Sequence, residues 1–96
     1  MVKFVKLVSG EEIIVDIMED PSNESGWILK KPHLIQLVPH NNQMAYTLLP
    51  LVLILDKEQF KISKNHVMLI EDAPSEINEE YCKKTGNIIV PSSLNA

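Results

Sequence analysis

Three histidines, one cysteine and several adjacent acids are the residues of this sequence that could carry chemistry, and their spacing gives them little to do together. His33, His40 and His66 are not set at metal-ligand intervals, and two of them lie next to turn residues. Cys82 has no second cysteine for an intrachain disulfide or a CxxC metal pair. No HExxH, P-loop, GxGxxG or GxSxG pattern is present. The acid pairs Glu11-Glu12, Glu71-Asp72 and Glu79-Glu80 fall in turns or on a helix, where charge is solvated. This inventory predicts a chain that is not an enzyme, with no catalytic residue, no metal and no cofactor. Lys30-Lys31 with His33 forms a local basic cluster that could touch phosphates, but a lysine pair on a strand reads first as a solvated face. Trp27, the sole tryptophan, follows Gly26 at the start of a strand and reads as core packing before base stacking.

The background in which these residues sit is that of an ordinary globular chain. Its 96 residues allow one domain and one core. With 45% hydrophobic and 23% charged residues and a mean hydropathy of −0.01, the composition excludes disorder. The net charge is −4 and the isoelectric point about 5.2, so the chain lacks a general basic coat for duplex DNA. All nine cations are lysines, which removes any bidentate arginine fork for phosphate or guanine. The longest apolar run, residues 44–55, is interrupted by Thr47 and Pro50 and is shorter than the ~20 residues a membrane helix needs. The start of the sequence lacks a signal-peptide pattern, so a cytoplasmic location with no membrane partner is expected, and the sequon Asn23-Glu24-Ser25 is read as chance.

Period-two patterning dominates the first half. Residues 2–8 are β-branched and apolar, broken by Lys3 and Lys6, and Ser9-Gly10 is a turn pair. Residues 12–18 put Ile13, Val15 and Ile17 on one face and Glu12 and Asp16 on the other, which predicts a hairpin. An acidic loop at 19–26 follows, then an extended stretch at 27–38 in which Pro32 must sit at a bend, a bulge or a free edge. A polar turn at 39–43 leads to a long strand at 44–55, where Pro50 makes the same demand. After a polar connection at 56–59, residues 60–62 and 66–71 flank the turn Ser63-Lys64-Asn65. One helix is expected, with Ser75 as its N-cap after Pro74, acids at its start, Lys83 and Lys84 at its end and Gly86 as its stop. Ile77 and Tyr81, one turn apart, should pack it on the sheet. Residues 87–96 are expected to be a loose tail in which 88–90 could dock.

The run Leu48-Leu49-Pro50-Leu51-Val52-Leu53-Ile54-Leu55 does not alternate, so both faces of its strand are apolar. A small antiparallel sheet with one helix cannot cover both, which predicts strong curvature and burial against another subunit.

The order of these elements resembles the Sm-like (Sm/LSm/Hfq) family. The sharpest match is Ile62-Ser63-Lys64-Asn65-His66-Val67-Met68-Leu69-Ile70, which looks like the second Sm motif: Ile62, Asn65, Val67 and Ile70 agree, Ser63 stands for the family's Arg and Lys64 for its Gly. Leu7-Val8-Ser9-Gly10 with Ile13, Val15 and Ile17 is similar to the first motif, though Val15 replaces a preferred Gly. The family's Asp-x-aromatic-Met-Asn signature is absent, with Asp20 and Asn23 in the corresponding loop one residue out of register. Leu29-Lys30-Lys31-Pro32, Asp56-Lys57-Glu58 and the helix after Pro74 are also similar to small Sm-like proteins of tailed phages.

This resemblance implies an all-β fold, a small five-stranded, strongly bent antiparallel barrel over residues 1–72, with one short C-terminal α-helix in 73–86. It implies a homo-oligomeric ring of about five to seven subunits, closed where the 44–55 strand of one copy pairs with the 66–71 strand of the next. It further implies a non-catalytic module that binds single-stranded nucleic acid near the ring pore, RNA before DNA. Carried over, the turn Ser63, Lys64, Asn65, the adjacent His66, and Asp20 and Asn23 of the acidic loop would line the site, and one Lys64 per subunit would form a ring of cations. The alternative is a structural or protein-binding ring without nucleic-acid affinity, which the acidic balance and the lack of arginine favour.

Overall fold

The alternating, β-branched start of the chain folds as its pattern requires. In a computed structural model, which describes residues 1–86, β1 (Val2–Leu7) and β2 (Glu12–Glu19) form an antiparallel hairpin that pairs Val5 with Ile13 and Lys3 with Val15. The Leu7 N–H donates to the Glu11 carbonyl and the Gly10 N–H to the Leu7 carbonyl, both at 2.9 Å, and Gly10 takes φ +106°. A Cβ there would touch nothing within 4 Å, so the cost of a side chain is one of backbone alone. Gly10→Ala should therefore lower stability by about 1–2 kcal/mol in urea denaturation, with no change in the denaturant slope.

The remaining strands are β3 (Gly26–His40), β4 (Gln43–Pro50), β5 (Gln59–Ser63) and β6 (Val67–Glu71), followed by α1 (Ser75–Thr85). Every strand pair is antiparallel, in the order β4-β3-β2-β1-β6, with β5 also paired to β3. The fold is all-β with a single short helix, as the sequence suggests. Six strands are present against the five the resemblance implies, because β4 and β5 pair with successive halves of the one long strand β3.

β3 is long because it serves two partners in succession. Gly26 to Lys30 pair with β5, and His33 to His40 pair with β4. Between them the chain kinks at Lys31, φ +49°, and Pro32, which is where a residue without an N–H belongs. The kink breaks the ladder, and each freed backbone group finds another partner. The Lys31 N–H donates to the Glu58 carbonyl at 2.7 Å and the Leu51 N–H to the Pro32 carbonyl at 2.9 Å. Tyr81 Oη donates to the Lys30 carbonyl at 3.0 Å, and His33 Nδ1 lies 2.8 Å from the Lys31 carbonyl. Beyond the kink, Asn41 and Asn42, both at positive φ, make the tight turn into β4.

The sheet curls. In the order β5-β3-β2-β1-β6 a flat sheet would hold β5 and β6 four strand spacings apart, about 19 Å. Only a single 3₁₀ turn, Lys64–His66, joins them, and at ~2 Å of rise per residue it spans far less. Val5, Ile13, Val15, Ile17 and Leu29 accordingly form an inner core against which Ile62 of β5 and Val67 and Ile70 of β6 both pack. Each of β4, β5 and β6 has one strand neighbour among the described residues.

A second core lies on the outer face, where Ile14 and Leu48 meet Tyr81 and Cys82 of α1, with Ile77 beside them. The helix starts without a side-chain cap: Pro74, and not Ser75, holds the N-cap position, and Ser75 is already the first helical residue. Gly86 ends it at φ +75°, as expected. The anticipated tail, 87–96, lies outside the described residues.

The strand expected over 44–55 ends at Pro50. Past it, Leu51 turns into the inner core, while Leu48 is buried on the helix side. The non-alternating run thus supplies two cores of one chain by changing layers at the proline. Leu53, Ile54 and Leu55 stay outside, Ile54 at 95% exposure. The strand expected to begin at His66 begins instead at Val67. Both strands suggested for ring closure are correspondingly shorter, Gln43–Pro50 and Val67–Glu71.

Candidate nucleic-acid interface

The acidic loop and the Ser63–His66 turn, some forty residues apart in sequence, are side by side because β3 pairs with both β2 and β5. Trp27 lies opposite Glu19 on one side and Ile62 on the other, so these three share a face of the sheet at its open end. The 3₁₀ turn begins two residues after Ile62 and carries Lys64 back over the indole.

The loop holds itself. The Asp20 N–H donates to the Gly26 carbonyl at 3.1 Å, the Asn23 N–H to the Asp20 carbonyl at 3.1 Å and the Gly26 N–H to the Asn23 carbonyl at 3.0 Å. Asp20 is buried, and its Oδ1 accepts from the Ser22 N–H at 2.9 Å and the Ser22 hydroxyl at 2.7 Å. Those two bonds hold its carboxyl below the usual aspartate value, with Lys61, 3.8 Å from Oδ2, assisting. Asn23 Oδ1 accepts from the Ser25 N–H at 3.0 Å, and its amide lies 3.2 Å from where a Cβ on residue 26 would sit, so a glycine fits there. Asp20 and Asn23 are therefore the frame of the loop, and their acceptors are already engaged.

The turn is fastened to that frame. The Lys64 N–H donates to the Ser25 carbonyl at 2.8 Å, and Ser63 Oγ accepts from the Asn65 N–H at 3.2 Å. Lys64 Nζ donates to Glu19 Oε1 at 2.6 Å and stands 4.7 Å from the centroid of the Trp27 ring. The same lysine holds the Glu19 carboxyl below its ordinary value. The Asn65 side chain is exposed and has no hydrogen bond among the described residues. The His66 carbonyl accepts from the Val8 N–H at 2.9 Å, while its exposed ring edges a largely apolar cavity of about 270 Å³ lined by Leu7, Leu29, Leu51 and Ile62.

No family model matches this chain, and no curated protein matches it. All six residues singled out in the sequence come into one neighbourhood, but they divide by role: Asp20, Asn23 and Ser63 build it, whereas Lys64, Asn65 and His66 present groups from it. Two residues of the neighbourhood escape a reading of the sequence. Trp27, expected in the core, is half-buried, with its inner edge on the core and Lys64 over its ring. Glu19, expected in the loop, is the counter-charge of Lys64. The one available signal is spacing: Glu19 and Trp27 flank the 20–26 loop symmetrically, as the facing residues of a hairpin must.

Among the described residues no group of three or more His, Cys, Asp or Glu is arranged to hold a metal ion, and no helix is long and apolar enough to cross a membrane.

Proposed function

We propose that the chain is an Sm-like, ring-forming module that binds single-stranded nucleic acid, RNA before DNA, without chemistry of its own. The observation that carries this reading is the pairing of the half-buried Trp27 ring with the Lys64 ammonium at the rim of the inner core. A flat apolar face with a cation beside it is what sequence-tolerant binding of a single strand uses: the base stacks on the ring and the cation meets the phosphate. In the bound state a base takes the place of the lysine over Trp27, Lys64 exchanges Glu19 for a phosphate, and Asn65 and His66 offer polar groups to the base edge. Ring assembly is supported by the curled sheet, whose β5 and β6 edges each lack a second partner among the described residues and are brought close together by the 3₁₀ turn. A ring would also repeat Lys64 around one axis and offset locally the net charge of −4 per chain.

A second reading, a structural or protein-binding ring, draws on a specific observation: Lys64 and Lys61 are both neutralised in place by Glu19 and Asp20. Native mass spectrometry of the protein, alone and with short oligo-U, oligo-A and oligo-dT, separates the two. The expected result is a discrete ring mass that takes up an oligonucleotide and releases it as salt rises. A ring that ignores all three oligomers would transfer the assignment to the second reading, and a monomer would sink both.

A further inference from the structure

Positive charge collects at a second place. Of the nine lysines, Lys3, Lys6, Lys61 and Lys64 are in ion pairs, and Lys30, Lys31, Lys57, Lys83 and Lys84 are in none among the described residues. Three of those five, Lys31, Lys57 and Lys84, converge on one cleft of about 240 Å³ at the kink of β3. In an acidic chain this arrangement is a concentration of uncompensated cations, with Glu58 the single acid on the lining.

The lining sorts by chemistry. Phe60, with Pro32 and Pro50, gives apolar walls suited to a flat ring. Lys31 is occupied, since its Nζ donates to the Thr85 carbonyl at 2.9 Å and so covers the negative end of α1. That leaves Lys57, whose Nζ lies 5.7 Å from the Phe60 ring centroid, and Lys84 as cations available to a ligand. His33 engages the Lys31 carbonyl through Nδ1, and Nε2 has no partner among the described residues. The volume is just below the range of about 300–1,000 Å³ typical of drug-sized sites, which suits a single nucleotide and not a length of strand.

We infer that this cleft binds a nucleoside monophosphate, with the base against Phe60 and the prolines, the phosphate between Lys57 and Lys84, and the Glu58 carboxylate accepting from a ribose hydroxyl. The site is separate from the Trp27–Lys64 rim, shares no residue with it, and does not depend on ring formation or on strand binding.

Calorimetric titration with AMP and UMP, against adenosine and inorganic phosphate as partial ligands, tests it on the full chain. AMP or UMP should bind, and Lys57→Ala/Lys84→Ala should weaken that binding by at least about tenfold. Lys83→Ala, which removes an unpaired charge outside the cleft, should leave it within about twofold. Phe60→Leu should weaken AMP while sparing the weak response to phosphate. The lysines are at the surface, and circular dichroism of the double variant verifies that the fold is kept. The inference is overturned if neither nucleotide binds, if adenosine or phosphate alone binds as well as AMP, or if Lys83→Ala is as damaging as the double variant.

Discussion

Tyr81→Phe lowers the stability of the fold by about 2–4 kcal/mol, with a fall in Tm on the order of 10–20 °C. The ring of Tyr81 is fully buried in the outer core, edge-on to His33 with centroids 5.5 Å apart, and phenylalanine fills the same space. The loss comes from the hydroxyl. β2 and β3 slip register between Ile14 and Asp16, which leaves the Asp16 N–H without a ladder partner, and the kink of β3 leaves the Lys30 carbonyl likewise. Tyr81 Oη accepts from the first at 3.2 Å and donates to the second at 3.0 Å. One hydroxyl thus satisfies both irregularities, and its removal strands a donor and an acceptor where water reaches poorly. Denaturation of the purified variant by urea and by heat measures the effect. A loss under about 0.5 kcal/mol would show that solvent can replace the hydroxyl.

The same residue gives the protein an alkaline limit. Burial pushes the Tyr81 phenol well above the ordinary tyrosine value, and burial beside Glu76, Glu80 and Glu79 pushes Tyr46 in the same direction. A folded pKa above the unfolded one means that above pH ~10 the unfolded chain has lost protons that the folded chain keeps. Stability is complete below that pH and declines as pH rises, by up to about 1.4 kcal/mol per pH unit for the buried Tyr81, with a smaller contribution in the same direction from Tyr46. Burial raises the Cys82 thiol too, so the decline starts somewhat lower. Tyr81→Phe, although weaker overall, should show a shallower alkaline slope than the parent.

On the proposed single-strand reading, loss of that binding on changing the indole is the second large effect expected. Trp27→Leu should weaken oligo-U binding by about 5- to 100-fold, the range of one base–aromatic stack, while the oligomer persists. Because the indole also touches the inner core, Lys64→Ala is the cleaner companion. It removes a surface cation, should weaken binding by a smaller factor, and should flatten the log–log salt dependence by about 0.7 for each phosphate that is no longer neutralised. Glu19→Gln should act the other way, freeing Lys64 from its carboxylate and tightening binding. Fluorescence anisotropy with labelled oligo-U across a salt series reads all three. Unchanged affinity in both Trp27→Leu and Lys64→Ala, with ring mass intact, would remove this rim as the binding site.

The parts of the fold that are legible in the sequence are those set by local rules. Alternation at Ile13, Val15 and Ile17 places β2 and its inner face, Gly10 and Gly86 mark chain reversals that need positive φ, and Pro32 marks a bend. Where the sequence misleads, a non-local contact decides the outcome. Nothing local distinguishes Leu51 from Leu49, yet one enters the inner core and the other faces outward, because the Leu51 N–H is caught by the Pro32 carbonyl nineteen residues earlier. Ser75 has the composition of a cap, but its preceding proline already supplies the extended backbone a cap position needs. At the rim, the identities of Lys64, Asn65 and His66 are readable from their turn. The division of labour is not, because whether Asp20 offers a carboxylate or commits it to Ser22 depends on the fold of its own loop. Trp27 misleads for a related reason: a tryptophan at the mouth of a curled sheet is both core and surface.

The segment between Leu51 and Glu58 is closed at its base by two backbone bonds onto the kink, Leu51 N–H to Pro32 and Lys31 N–H to Glu58. Its tip, Leu53 to Asp56, therefore hangs from a clasp that the rest of the domain already holds shut. Lengthening it changes only a loop entropy that grows by about 0.6 kcal/mol per doubling. In evolutionary terms the tip is a place where this small domain can vary its sequence, and acquire new surface, while the sheet beneath stays unchanged.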